Sequence, residues 1–247
     1  HSKKNPGNPF SFVVLGDSGA SFGDTDHAQY KIAFAVEQDL LTEGFDFMIH
    51  TGDVVYAEGR EEEYDMNYFE PYYGLGLEVP VLPSIGNHDH AGPEDLAPYL
   101  RNFYLPEAVE GNEQYYSFEH GDSLFIALDD QKSDYNLLSQ QSTWLISTLA
   151  NSDKKWKFVY FHEPPYASTA HHTPNYNNQM QLAPIFSILG VDAVFSGHIH
   201  AYERTESING VTYFVTGGGG RVLYDLEEQA DYSEVWEKKY HFMHVEV

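Results

Sequence analysis

The sequence predicts an α/β chain with a mixed sheet system, and three observations predict it. Short apolar runs alternate with segments of helical apolar spacing through the first half. Five of the runs end in polar clusters rich in Gly, Asp, Asn or His, the form of a buried strand that delivers functional side chains at its end. The later part carries strand pairs with hairpin-like spacing, so strands of both directions are expected.

In order along the chain, the first strand is 12–15, leading to Gly16-Asp17-Ser18-Gly19. A helix over 26–43 follows, with Ile32, Ala35, Val36 and Leu40 on one side, and Gly44 ends it. The strand 47–50 leads to Thr51-Gly52-Asp53-Val54-Val55-Tyr56, and a helix is expected near 61–73. The strand 79–83 leads to Gly86-Asn87-His88-Asp89. A helix near 94–104, strands near 115–118 and 124–128, and a helix near 139–150 come next. The strand 156–161 leads to His162-Glu163-Pro164-Pro165, and a helix near 177–189 precedes the strand 192–195. That strand leads to Gly197-His198-Ile199-His200, and strands near 211–216 and 241–247 close the chain. Nothing divides the sequence: it has no repeat, low-complexity stretch or linker, so residues 1–247 read as one domain, with 1–9 as a flexible tail.

Bulk properties exclude several functions. At 247 residues the chain can bury a large core. No stretch approaches the roughly 20 apolar residues that cross a bilayer. The N-terminus has neither an apolar signal core nor an initiator Met, and reads as either a processed or an artificially cut end. There is no cysteine, which removes disulfides, thiolate ligands and thiol nucleophiles together. With 38 acidic and 13 basic residues the net charge is −25, so nucleic acid is disfavoured as a general partner. The acids cluster at 58–70 and 225–237, where a solvated surface is expected.

The polar clusters carry the chemistry. A loop bearing His-x-His can aim two imidazoles at neighbouring points, which suits borderline metals. Singly, each cluster could be a plain turn, since Gly permits the backbone and Asp or Asn bonds locally. Together they supply Asp17, Asp53, Tyr56, Asn87, His162, His198 and His200 at strand ends. A mixed oxygen and nitrogen set of that size fits two metal ions better than one. Gly217-Gly218-Gly219-Gly220 lacks the Lys-Ser/Thr of a nucleotide loop and reads as a tight backbone passage near the site.

Gly-Asp-x-Gly, Gly-Asp-x-x-Tyr, Gly-Asn-His-Asp, Val-x-x-His and Gly-His-x-His, in that order over residues 12–221, resemble the five blocks of the calcineurin-like metallophosphoesterases. Two departures resemble the purple acid phosphatase group within them: Gly19 stands where the wider superfamily has histidine, and Tyr56 follows Asp53 by three residues. His-Ala-Tyr-Glu-Arg at 200–204 is also similar to that group. Asp89 stands where glutamate is commoner. The resemblance implies two stacked mixed sheets flanked by helices, a four-layer sandwich. It also implies export from the cytosol. Larger members carry an N-terminal β-sandwich, which is expected to be absent because the first block begins almost at once.

The same resemblance implies the roles. Asp53 bridges two ions; Asp17, Tyr56 and His200 complete the shell of one, and Asn87, His162 and His198 the other. A hard phenolate donor favours Fe(III) at the first position, with Zn, Mn or Fe(II) at the second. Metal charge of about +5 less three anionic ligands leaves roughly +2, so an acidic protein can still attract phosphate there. The implied reaction is hydrolysis of a small phosphomonoester to free phosphate, with a metal-activated hydroxide as nucleophile. His88 and the pair His171–His172 are the expected proton donor and substrate contacts. His27, His50, His90, His120, His241 and His244 are expected to be structural or solvent-facing, and Arg204 to tie down the histidine loop through an ion pair. The same metal pair would also serve a phosphodiesterase or nucleotide pyrophosphatase, and a silent scaffold used for binding is a third reading.

Overall fold

Apolar runs without polar alternation belong in sheets covered on both faces, and the chain builds two. The computed structural model describes residues 9–19, 28–76, 78–131 and 139–247. Asp26 and His27, at the expected start of the first helix, and residues 1–8 of the expected tail lie outside these. In the first sheet β1 (Ser11–Leu15), β2 (Phe47–His50) and β3 (Val81–Pro83) run parallel, and β11 (Met243–Glu246) pairs antiparallel with β1. The second sheet has the order β10 (Ser233–Glu237), β8 (Tyr202–Thr205), β9 (Thr212–Thr216), β7 (Ala193–Ser196), β6 (Trp156–Tyr160), β5 (Ser123–Ala127), β4 (Tyr116–His120). Its members β5, β6, β7 and β9 are parallel to one another in turn; β4, β8 and β10 enter antiparallel.

Period-two alternation divides the second sheet cleanly. Phe125, Ala127, Phe158 and Phe195 face the first sheet, where Phe12 and Phe47 meet them. The rings of Phe12 and Phe125 are 5.1 Å apart and nearly perpendicular, as are those of Phe47 and Phe125. Such edge-to-face contacts add specificity beyond area burial. On the other side, Leu124, Ile126, Val159 and Val194 pack with Leu145 and Leu149 of α5 (Gln140–Asn151) and Phe186 of α7 (Ala183–Leu189). The first sheet is covered by Ile32, Ala33 and Val36 of α1 (Ala28–Thr42). The result is a helix–sheet–sheet–helix sandwich.

Several elements depart from the sequence reading. The helix expected over 61–73 starts as α2 (Glu61–Tyr64), widens into a π-helical turn over Asp65–Phe69, and is followed by a separate turn α3 (Tyr73–Gly76). The helix near 94–104 shortens to α4 (Ala97–Asn102). The helix near 177–189 is two, α6 (Tyr176–Gln181) and α7, because Pro184 can only sit in the first turn of a helix. Strands β8 and β10 were not expected. The acidic stretch 58–70 is not wholly solvated: Glu63 is buried, and its carboxylate accepts the amides of Ala57, Glu58 and Arg60. Among the described residues no helix is long and apolar enough to cross a membrane.

Because Phe125 touches aromatic rings from both sheets, Phe125→Ala should cost about 3–5 kcal/mol of stability, the range for a truncated core aromatic. Equilibrium denaturation of the purified variant measures it; a loss below about 1 kcal/mol would show that the inter-sheet layer repacks freely.

Candidate metal centre

Parallel sheets collect their functional side chains at the carboxyl ends of the strands. Here both sheets present those ends to the same place. Asp17 follows β1, Asp53 and Tyr56 follow β2, and Asn87 follows β3; His162 follows β6, and His198 and His200 follow β7. The seven side chains are brought together across the mouth of the sandwich.

They fall into two groups. In one, the Tyr56 hydroxyl donates to Asp17 Oδ1 at 3.0 Å and lies 3.2 Å from His200 Nε2, which is 3.3 Å from the same carboxylate oxygen. In the other, Asn87 Oδ1 lies 3.1 Å from His198 Nδ1 and 3.2 Å from His162 Nε2, and these two nitrogens are 3.2 Å apart. Asp53 stands by both: its Oδ2 is 3.4 Å from His162 Nε2, and Asp17, Asp53 and His162 can place donor atoms within 4.8 Å of one another. Asp17, Asp53, Tyr56, His162 and His200 are buried, while Asn87 and His198 are half-buried.

The surroundings fix the direction of each ring. His162 Nδ1 donates to Thr51 O at 2.9 Å, and His200 Nδ1 to Val222 O at 2.7 Å. A hydrogen bond at one imidazole nitrogen sets the tautomer and leaves the other nitrogen's lone pair facing inward. Three non-glycine residues at the site, Asp17, Asp53 and His198, hold left-handed backbone with φ of 57°, 52° and 66°. Such conformations cost about 1–3 kcal/mol each and persist only where surrounding structure imposes them. Asp89 is one source of that imposition. Its buried carboxylate accepts Gly86 N at 2.8 Å and Val54 N at 2.9 Å, tying the Asn87 loop to the Asp53 loop. A Cβ on Gly86 would strike Asp53 itself, and one on Gly217 would strike Ile199 O, so both loops pass where only glycine fits.

The expected substrate-side histidines lie beside this cluster. The His88 amide donates to Asp53 Oδ1 at 2.8 Å, its Nδ1 donates to Ala57 O, and its ring centroid is 4.5 Å from that of Tyr56. His172 lies over His198 with centroids 4.2 Å apart, and His171 sits 4.7 Å from His172. Sequence reasoning missed Tyr224, whose ring stacks on His200 at 4.2 Å and touches both His171 and His172. It follows no motif, so only the fold reveals it. The Arg221 guanidinium lies 4.7 Å from the Tyr56 ring centroid. Arg204 does not tie down the histidine loop; it pairs with Glu234 at 3.2 Å, joining β8 to β10. His50 is buried and bonds Ser18 Oγ, His120 faces Asp46, His241 bonds Thr216 Oγ1, and His244 pairs with Asp39 at 2.6 Å. His90 faces Asp95 at 3.7 Å.

The electrostatics fit a cation. Burial alone would push Asp53 up, but His162 and His88 hold it well below the ordinary carboxylate range. Burial would pull His162 down, yet Asp53, Asp17 and Asp130 hold it well above its usual value. A proton on His162 thus stands in for positive charge among the carboxylates. His198 is pushed down to about 3 by burial and then by His162, so its lone pair stays available. Burial, Asp17 and Asp53 keep the Tyr56 phenol protonated unless a stronger cation replaces its proton. Two carboxylates, a phenol, an amide oxygen and three inward lone pairs suit a pair of metal ions.

A sequence profile of the calcineurin-like phosphoesterase family matches residues 10–202. Among curated proteins, the chain is 29% identical to purple acid phosphatase 18 of Arabidopsis thaliana, over 91% of this chain and 58% of that protein. It is 26% identical to the Fe(3+)-Zn(2+) purple acid phosphatase 12 of the same plant, over 87% of this chain and 48% of that protein. The chain therefore spans about half the length of these relatives. Among solved structures, the purple acid phosphatase PPD1 from yellow lupin seeds superposes with a TM-score of 0.82 at 22% identity, over 97% of this chain and 49% of that one.

Behind the cluster, buried Asp130 accepts the amides of His162 at 3.3 Å and Glu163 at 2.8 Å, and the side-chain amide of Asn178. Burial, then the nearby Glu163, pushes it up to about 7. In the metal-free protein the folded state holds a proton that the unfolded chain releases near its ordinary carboxylate pKa. Between about pH 4 and 7 the folded state binds more protons at this residue, so its contribution to stability falls as pH rises. Asp130→Asn removes that dependence. The change in unfolding free energy of metal-free protein from about pH 4.5 to 7.5 should be more favourable in the variant than in wild type; equal changes would place the Asp130 pKa at its ordinary value.

Proposed function

The chain belongs to the calcineurin-like phosphoesterase family, with purple acid phosphatases as its relatives, and from that premise we propose a dinuclear metal-dependent phosphatase acting on phosphomonoesters. The observation that carries this reading is the division of the seven donors into two groups of three around Asp53. Asp53 would be shared by both ions. Asp17, Tyr56 and His200 would hold Fe(III), for which a phenolate is a hard anionic donor; Asn87, His162 and His198 would hold Zn, Mn or Fe(II). The name of one relative, an Fe(3+)-Zn(2+) enzyme, supports such a pair.

When bound, the ions supply Lewis acidity toward phosphoryl oxygens and an activated water near neutral pH. The protein's residues do the rest. The carbonyls of Thr51 and Val222 hold two imidazoles in the ligating tautomer. Asp17 also accepts the His198 amide at 3.0 Å, which fixes one group against the other. His171 and His172 contact the phosphoryl oxygens from the loop above His198. His88 donates Nδ1–H to Ala57 O, so its Nε2 is the atom that can carry a proton to the leaving oxygen. An export pathway and a single domain over 1–247 rest on the resemblance to exported members and on the shared core of the two sheets.

A phosphodiesterase or nucleotide pyrophosphatase is the second reading within the same chemistry, because selectivity lies in loops around a shared metal pair. Turnover of a mono- against a bis-substituted aryl phosphate decides between them: the monoester should be the faster by a wide margin. A silent binding scaffold is disfavoured because a complete donor set has no use there.

Iron-loaded protein should be pink to purple from phenolate-to-Fe(III) charge transfer, and Tyr56→Phe should bleach it without unfolding the protein. A colourless wild type, or a variant that keeps the band, removes Tyr56 from the ligand set. Elemental analysis supplies the test of the bridge: Asp53→Ala should lose both ions, whereas Asn87→Ala should retain the Fe(III). Two ions and near-normal turnover in Asp53→Ala would overturn the assignment.

A further inference from the structure

Glu203 is out of place. Along β8 the side chains of Glu203 and Thr205 turn inward, while those of Tyr202 and Arg204 are half-exposed. An inward position between two strands normally holds an apolar residue, since a buried carboxylate is costly unless fully bonded. Glu203 is 1% exposed, and both its oxygens are taken by one residue: Oε2 accepts Ser168 N at 2.7 Å and Oε1 accepts Ser168 Oγ at 2.6 Å. Truncating Glu203 alone would leave the buried Ser168 amide and hydroxyl without their acceptor, so the carboxylate and Ser168 act as one unit. The arrangement is better explained by what Ser168 carries.

Ser168 lies three residues before His171, on the loop that brings His171 and His172 to the mouth of the site. The neighbouring Ala167 and Ala170 pack against Ile199 and Ala201, on either side of His200. A second segment grips the loop from outside. Ala230 N donates to Ser168 Oγ, the Tyr232 hydroxyl to Ala167 O, and Thr169 exchanges backbone hydrogen bonds with Glu228. That segment begins at Val222 and Tyr224, which hold His200 by the carbonyl and by ring stacking. The donor cluster and the histidine pair are therefore fastened to common supports, with Glu203 at the centre.

We propose that Glu203, acting through Ser168, is a positioning residue that sets the His171–His172 pair over the metal site, and so governs binding of the phosphoryl group. The inference rests on the phosphatase reading for its kinetic consequence, but its structural claim can be read without catalysis. Glu203 is not a metal ligand; its carboxylate is spent on Ser168.

Two variants test it from opposite ends: Glu203→Gln, which keeps the shape but loses an acceptor, and Ser168→Ala, which leaves the carboxylate intact should the first fail to fold. Both should bind two metal ions as wild type does. Both should raise KM for an aryl phosphate, and weaken inhibition by inorganic phosphate, by about tenfold, the weight of one hydrogen bond to a charged group, with kcat changed little. In a background carrying both His171→Ala and His172→Ala neither should add a further loss, because the effect passes through that pair. Multiplicative losses, or metal loss from either variant, would overturn the proposal. In zinc-loaded, histidine-labelled protein, the His172 ring resonances should shift or broaden in both variants while those of His88 stay put. Unmoved His172 resonances would also overturn it. Should wild type hydrolyse no phosphate ester, the phosphatase reading fails, and the resonances alone decide whether Glu203 positions the pair.

Discussion

Gathering seven polar side chains at one largely buried site is the constraint on which the rest of this structure depends. Inward lone pairs of three imidazoles, an amide oxygen, two carboxylates and a phenol converge within hydrogen-bond distance of one another. Such a cluster is unfavourable by itself, because buried charge and unpaired acceptors lose their solvation. It exists because the scaffold holds it in place. The phenylalanine layer between the sheets locks their strands into two facing arrays whose carboxyl ends coincide. Once those ends are fixed, five loops have little freedom, and three of them accept left-handed residues at the donor positions. Asp89 and Glu63 extend the principle one layer outward: each is a carboxylate used to gather backbone amides of the loop around Asp53 and Tyr56.

The same constraint accounts for the charge distribution. A net charge of −25 would repel an anionic ester from the outer surface. Inside the cluster the anionic ligands are few, and His162 already prefers its charged form, its proton sitting where the carboxylates call for a cation. With the proposed cations bound, the local field would follow them rather than the global charge. Acidic side chains elsewhere, in the stretch 225–237 for instance, are mostly exposed and take part in surface pairs such as Lys238–Asp225. Pairs of that kind contribute little stability.

How much was legible in the sequence depended on whether a residue's role was local. Strands β1, β2, β6 and β7 could be read because they are covered on both faces and therefore continuously apolar. Strands β8 and β10 could not: Tyr202-Glu203-Arg204-Thr205 puts a carboxylate on its inner face, and Ser233–Glu237 lies at a sheet edge with no fully buried side chain. The helix near 177–189 was legible as helix but not as two, since its break depends on Pro184 within an otherwise helical pattern. The convergence of the candidate donors was legible because each sits in a motif block within a few residues of a strand end. Tyr224, Val222 and Thr51 were not, because their contribution is a ring face or a carbonyl aimed at a histidine far along the chain.

This difference also divides the labour of the site. The donors stand within a few residues of strand ends, on loops tied down by contacts such as those of the Asp89 carboxylate. The histidine pair stands on a loop, which has no sheet hydrogen-bond ladder and must be fixed by side chains. Loops are the natural place to change substrate preference, but a mobile imidazole contributes little to binding an anion. The buried Glu203–Ser168 contact and the outer strap through Tyr224 to Tyr232 reconcile the two needs. They give a loop the definition of a strand end while leaving its outer residues, His171 among them, open to solvent. The cost is a buried carboxylate at a core position, accepted because it lies only three residues from His200 and so refers the substrate side of the site to the same backbone that carries the donors.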